Sequence, residues 1–139
     1  MNRPVGIEDY AVDQLERLLK VLTARIAKAA GQPGADEIHD LRVSIRRLSQ
    51  GVELFGGLFP AWDAQEILKT LKGMMRLTSE VRNRDIALDF LEKSKRRGHR
   101  LRLRRERSAY QRQFSAVVRQ WRESDFTNQW RRGLPVGTV

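Results

Sequence analysis

The stretch "EIHDLRVSIRRLSQ", from Glu37 to Gln50, interleaves apolar and basic residues at helical spacing. The basic side chains His39, Arg42 and Arg46 stand at i, i+3 and i+7, so a helix would place them on one face. Apolar residues at steps of three or four form a neighbouring face that continues to Phe55. These apolar residues are Ile38, Leu41, Ile45, Leu48, Val52 and Phe55. The stretch therefore predicts an amphipathic helix over 37–55, with a basic row beside a buried stripe.

Three further segments show apolar residues at the same helical spacing. They cover about 7–30, the region from 60–62 to 91, and about 95–123. Glycines and prolines in "GQPGAD" and "FGGLFP" separate the first three helices, because neither residue type favours continuing a helix. Asp36 is the predicted N-cap of the second helix, since its short carboxylate can accept a hydrogen bond from a free backbone N–H.

The third helix is predicted to contain a kink or short break around "LTSEVRNRD", where the pattern becomes polar and β-branched. No window shows the alternation of a strand. Short loops favour antiparallel neighbours, so the predicted fold is all-α, an antiparallel four-helix bundle with a kinked third helix. We expect residues 1–139 to form one domain, with its core in about 5–125 and a short cap and loose tail in 126–139.

The net charge of the 139-residue chain is +10, from 27 Lys and Arg against 17 Asp and Glu. Such a surplus attracts polyanions, which leaves nucleic acid, anionic membrane and phosphate polymers as candidate partners. The sequence has no cysteine, which excludes disulfides, thiolate metal sites and cysteine nucleophiles, and we expect no metal and no cofactor. Without a signal-peptide pattern or a long apolar run, the chain is expected to be soluble and cytoplasmic.

The third and fourth helices repeat the basic spacing of the second. Their i, i+3, i+7 rows are Lys69, Lys72 and Arg76 in the third helix, and Arg97, Arg100 and Arg104 in the fourth. Arg107 extends the fourth-helix row, and Arg82 follows the predicted kink. One such row is usually plain solvated surface, but three in a small basic domain favour binding. If the rows face one another, they line a positive groove.

These side chains suit a chain of phosphates. The planar guanidinium of arginine donates two parallel hydrogen bonds to phosphate oxygens, and lysine adds a compact charge. Histidine is the side chain type that can gain a positive charge close to neutral pH, and a nearby polyanion favours that charged form. Asp85 is interpreted as an N-cap or as the partner of an arginine, in preference to a catalytic acid.

The segment "IHDLRVSIRRLSQGVELFGGLFP" resembles the signature of the CHAD family, the conserved histidine α-helical domain. Matching residues are His39, Asp40, Arg42, Val43, Arg46 and Arg47, followed by Phe55 and Phe59. A second piece, "TSEVRNRDIALDFL", resembles the family pattern LG-x-x-R-D-x-D-V at Arg82 and Asp85. It departs from that pattern at Thr78, Ser79 and Asn83.

The resemblance implies helical bundles without catalytic activity of their own, which bind inorganic polyphosphate through a basic central surface. It also implies a location at polyphosphate granules. The binding residues carried over by position are His39, Arg42, Arg46, Lys69, Lys72 and Arg82. Helical geometry adds Arg76, Arg97, Arg100 and Arg104.

The usual domain of this family has two four-helix halves with approximate two-fold symmetry, and this chain resembles one half. We expect a homodimer, because pairing of identical halves closes a two-fold assembly.

Three alternatives stay open at this point. A nucleic-acid binder fits the charge, although the five Phe, three Trp and two Tyr lie mostly in apolar stripes and offer few stacking platforms. An enzyme acting on phosphate chains normally needs metal-holding carboxylates, and Asp40 and Asp85 are isolated. A plain protein-interaction bundle with an incidental charge is the third.

Overall fold

The computed structural model describes residues 6–31, 33–94 and 100–135, without the side chains of residues 84, 88, 91–94 and 100. These ranges contain no strand, so the predicted all-α class is confirmed. None of their helices combines the length and apolarity needed to cross a bilayer. The α-helices are α1 (Ile7–Ala29), α2 (Ala35–Phe55), α3 (Ala64–Ser94), α4 (Arg100–Ser124) and α5 (Phe126–Gly133).

The helix starts differ slightly from those predicted. Gly34 is the N-cap of α2, and Asp36 lies inside the first turn, so the predicted cap at Asp36 is wrong. The Asp36 carboxylate still lies near the positive end of the helix dipole, where an acidic charge is favourable. At the start of α3, Asp63 does act as a cap, because its Oδ1 accepts the Glu66 backbone N–H at 3.1 Å.

Helix α3 continues without a break through the region where the sequence predicted one. The predicted short break is therefore wrong, whereas a local bend of α3 stays a prediction. The hydroxyls of Thr78 and Ser79 donate to the Met75 carbonyl oxygen at 2.9 and 2.8 Å. Because these polar side chains are satisfied by their own helix, they do not have to interrupt it.

The core lies between the apolar stripes of α1 to α4. The stripe predicted for α2 is buried from Ile38 to Val52, and Phe55 at its end is half-buried against the core. Helix α1 also buries an apolar face. Each large side chain of this kind contributes about 1.5–3 kcal/mol through the hydrophobic effect when it leaves water. The largest fully buried side chains include Leu15, Leu22, Ile38, Leu41, Ile45, Leu48, Ile67, Leu71, Met74 and Phe114.

The contacts between α1 and α2 join the end of one helix to the beginning of the other. Arg25, near the end of α1, forms an ion pair with Asp40 at 3.4 Å. Tyr10, near the beginning of α1, packs its ring edge-on against Phe55 at a centroid distance of 6.1 Å. Ile38, near the beginning of α2, lines a cleft together with Asp89, near the end of α3. Arg42, further along α2, contacts Ser79 in an earlier turn of α3.

Helices α3 and α4 pack on each other, and α4 and α5 also contact α1. The α3–α4 contact includes a close ion pair between Asp85 and Arg107. Ser115 of α4 donates to the Gly31 carbonyl oxygen at 2.9 Å, just after the end of α1. The four long helices therefore contact one another in a closed series.

The stretch after α4 is ordered into helix α5, although the sequence predicted a short cap and loose tail there. The Trp62 indole N–H donates to the Trp130 carbonyl oxygen at 2.9 Å, and Thr23 bonds Thr127 at 2.9 Å. Leu134 is buried. The prediction of a loose tail is wrong as far as Leu134, because apolar side chains of this stretch pack on the bundle. Residues 136–139 lie outside the described ranges.

Candidate functional site

Arg42 extends from α2 to one turn of α3. Its Nη1 donates to Ser79 Oγ at 2.6 Å, to Thr78 Oγ1 at 3.2 Å and to the Met75 carbonyl oxygen at 3.3 Å. The side chain is half-buried. Neutral oxygen atoms therefore hold the guanidinium of Arg42.

Arg42, Arg46 and Arg82 form what we call the arginine cluster. Burial lowers the pKa of Arg42, and the positive charges of Arg82 and Arg46 lower it further. Arg42 still carries its charge at neutral pH, because arginine side chains lose their proton only in strongly alkaline solution. Among the described residues, no carboxylate forms an ion pair with any member of the cluster. The cluster therefore concentrates positive charge that a bound anion could neutralise.

The other predicted residues of the second helix flank Arg42. His39 lies three residues before it and Arg46 four residues after it, and both side chains are exposed. On a helix these spacings place all three on one side. The structure thus keeps the second-helix row intact, with Arg42 as its most buried member.

The third-helix row lies next to it. Lys72 precedes Met75 by three residues and Ser79 by seven, so it lies on the side of α3 that Arg42 contacts. Lys69 and Arg76 flank Lys72 at helical spacing, and all three side chains of this row are exposed. We call the combined set the α2–α3 surface. It consists of His39, Arg42, Arg46, Lys69, Lys72, Arg76 and Arg82.

The fourth-helix row is described only in part. Arg97 lies outside the described residues, as does the side chain of Arg100, whereas Arg104 is exposed on α4. Among the described side chains, the charges that act on Arg42 belong to Arg82 and Arg46, neither of which is on α4. The expectation that three rows line one groove therefore stays a prediction as regards the fourth.

Arg107, which extends the fourth-helix row by its spacing, is paired with a carboxylate in the structure. Its Nε lies 2.5 Å from Asp85 Oδ1, its Nη2 lies 3.5 Å from Asp85 Oδ2, and its Nη1 donates to Gln111 Oε1. About a quarter of each charged side chain is exposed. Asp85 is within α3 and not at its end, so of the two interpretations the arginine partner is confirmed.

A family model describes most of this sequence. The CHAD domain model matches residues 13–134, a range that includes the whole α2–α3 surface. The chain belongs to the CHAD domain family. This confirms the resemblance seen in "IHDLRVSIRRLSQ", and CHAD domains in general are associated with polyphosphate binding. No curated protein and no solved structure matches the chain.

Sequence reasoning missed the part played by Thr78 and Ser79. In the sequence they are only departures from the CHAD pattern, yet their hydroxyls are the closest partners of Arg42. The available signal was a pair of hydroxyl side chains three and four residues after Met75, where each can bond a helix carbonyl. That these hydroxyls also meet an arginine depends on the register between α2 and α3, which the sequence does not reveal.

The donors of this site suit anions. Within the described ranges, no group of three His, Cys, Asp or Glu side chains is placed to hold a metal ion. The α2–α3 surface offers guanidinium and ammonium groups instead, which form charge-assisted hydrogen bonds with phosphate oxygens. The arrangement can therefore bind an anion bearing several negative charges.

Proposed function

We propose that this CHAD domain binds inorganic polyphosphate through the α2–α3 surface and does not act as a catalyst. Two findings support the proposal. The family is associated with polyphosphate binding, and the surface combines two basic rows with a cluster that lacks carboxylate partners among the described residues. A cytoplasmic location at polyphosphate granules belongs to the proposal and rests on the family resemblance.

The arginine cluster is the observation that carries the proposal. Arginine side chains that serve only the fold commonly pair with a carboxylate, as Arg107 does with Asp85. Arg42 is half-buried and near two further arginines, but among the described residues it bonds only neutral oxygens. A phosphate chain would replace mutual repulsion with charge-assisted hydrogen bonds, which are about twice as strong as neutral ones.

A linear polymer suits the surface better than a single phosphate. Residues at i and i+7 lie about 10 Å apart along a helix axis. Each row thus offers charges over a length that successive phosphates of one chain can follow. Arg97, Arg100 and Arg104 would extend the path onto α4 if the fourth-helix row faces the same side, and this extension belongs to the proposal.

We further propose that the bundle is an antiparallel four-helix arrangement that pairs as a homodimer. The order of contacts supports the first part, because early residues of one helix meet late residues of the next at α1–α2 and α2–α3. The homodimer rests on the resemblance to half of the usual domain. Light scattering after size-exclusion chromatography is expected to give twice the chain mass, and a monomer well above micromolar concentration would contradict it.

The direct test is a titration with polyphosphate of defined lengths, competed with single-stranded RNA. We expect affinity to increase with chain length and to fall steeply with salt, by analogy with a log–log slope of roughly 0.7 per phosphate contact in single strands. RNA that displaces polyphosphate at equal phosphate concentration would favour nucleic-acid binding instead. Affinity no better than that of a size-matched basic protein would favour an interaction bundle with incidental charge.

A further inference from the structure

We propose that Ser79, assisted by Thr78, is a positioning residue that fixes the guanidinium of Arg42 for phosphate. This inference rests on the proposed polyphosphate binding and adds to it two residues that carry no charge. Both stand where the CHAD pattern has other residues, so the pattern itself would not select them.

The distances identify Ser79 as the main partner. Nη1 of an arginine has two hydrogens, and here it has three acceptors within hydrogen-bond distance. The bond to Ser79 Oγ is 2.6 Å long, whereas those to Thr78 Oγ1 and the Met75 carbonyl oxygen are 3.2 and 3.3 Å. The shorter bond is the stronger one, so Ser79 contributes most of the restraint on Arg42.

The two hydroxyls are themselves oriented by their helix. Each donates its hydrogen to the Met75 carbonyl oxygen, at 2.9 Å from Thr78 and 2.8 Å from Ser79. A hydroxyl that has used its hydrogen presents only lone pairs to other neighbours. The oxygens facing Arg42 therefore act as fixed acceptors, and α3 determines where they lie.

This anchoring leaves one edge of Arg42 for a ligand. Nη1 is occupied, whereas Nε and Nη2 form no hydrogen bond within the part of the chain that the structure describes. Nε–H and Nη2–H together make a planar pair that binds two oxygens of one phosphate. Because the anchor atoms are neutral, they orient the guanidinium without neutralising its charge.

The main test compares Ser79→Ala with a matched control, Ser49→Ala. Ser49 is also half-buried within a helix, and its hydroxyl bonds the Ile45 carbonyl oxygen at 2.9 Å without contacting Arg42. We expect Ser79→Ala to weaken polyphosphate binding about threefold to tenfold, the usual range for one hydrogen bond. Ser49→Ala should bind as the parent protein does, and equal affinity of both variants would overturn the proposal.

Two further variants separate positioning from general loss of structure. Ser79→Thr keeps the hydroxyl and should restore most of the affinity. In the Arg42→Ala background, Ser79→Ala should have no further effect on affinity, because the residue it positions is gone. An undiminished effect of Ser79→Ala in that background would show that Ser79 acts independently of Arg42 and would overturn the proposal.

A measurement without ligand distinguishes this proposal from the proposed function. The Nη hydrogens of Arg42, followed by ¹⁵N NMR at low temperature, should exchange with water more slowly in the parent protein than in Ser79→Ala, because Nη1 donates the bond to Ser79. Equal exchange would overturn the positioning role even if polyphosphate binds. Slower exchange in the parent together with no binding of polyphosphate would support the anchoring and contradict the proposed function.

Discussion

Arg42 and Arg107 are two half-buried arginines that reach α3 from different neighbours, α2 and α4, and their partners differ in charge. Arg107 contacts both carboxylate oxygens of Asp85. Arg42 contacts two hydroxyl oxygens and one carbonyl oxygen. The first arginine is neutralised by the fold, whereas the second is held in place and keeps its charge available.

An arginine side chain can serve either stability or binding, depending on the charge of its partners. A carboxylate partner compensates for the solvation that a partly buried guanidinium loses. Arg42 donates hydrogen bonds to neutral oxygens and meets no carboxylate among the described residues, and Arg46 and Arg82 add repulsion to it. We therefore expect the α3–α4 pair to stabilise the free protein and the arginine cluster to reduce its stability until an anion binds.

The largest expected effect is on binding by the arginine cluster. Arg42→Ala combined with Arg46→Ala should weaken polyphosphate binding by about a hundredfold or more, because each arginine contributes charge-assisted hydrogen bonds of about 1.5–3 kcal/mol. Isothermal titration at fixed salt measures this, and circular dichroism should show the bundle still folded. As a control for charge, Arg112→Ala with Arg119→Ala removes two exposed arginines of α4. Equal losses in the two double variants would mean that total charge alone determines affinity.

The next effect concerns stability at the α3–α4 pair. Asp85→Asn keeps the shape but removes the negative charge opposite Arg107, and should lower the free energy of unfolding by about 1–3 kcal/mol. Urea denaturation measures this change. Polyphosphate affinity should stay within about twofold of the parent value. A large loss of affinity with unchanged stability would place Asp85 and Arg107 in the binding site and remove the contrast with Arg42.

The smallest effect tests repulsion inside the cluster. Arg82→Gln removes one of the charges that lower the pKa of Arg42. It should raise the free energy of unfolding of the ligand-free protein by roughly 0.5 kcal/mol at low salt, while weakening polyphosphate binding. The gain should disappear in high salt, where charges are screened. Lys20→Gln on the exposed side of α1 is the control, and an equal gain there would assign the effect to net charge.

Much of the fold could be predicted because local patterns report local structure. The stripe from Ile38 to Val52 marked the buried face of α2, and proline and glycine marked the loops around it. Helix α3 was misjudged at Thr78 and Ser79, since a polar run predicts a break unless its hydroxyls bond the helix itself. The packing of the stretch from Phe126 on the bundle could not be predicted from local patterns, because it depends on the contact of Trp130 with Trp62, a residue distant in sequence.

The helical class, the family and the basic rows can be read from the sequence alone, because spacing and motif are properties of neighbouring residues. The sequence could not distinguish Arg107 from Arg42, since each arginine belongs to a basic row at helical spacing. The packing of the helices sets which arginine meets a carboxylate and which meets hydroxyls, because those partners lie 22 and 36–37 residues away on another helix. The register between the helices therefore pairs Arg107 with a carboxylate and places Arg42 against neutral oxygens, where its charge can still attract a ligand.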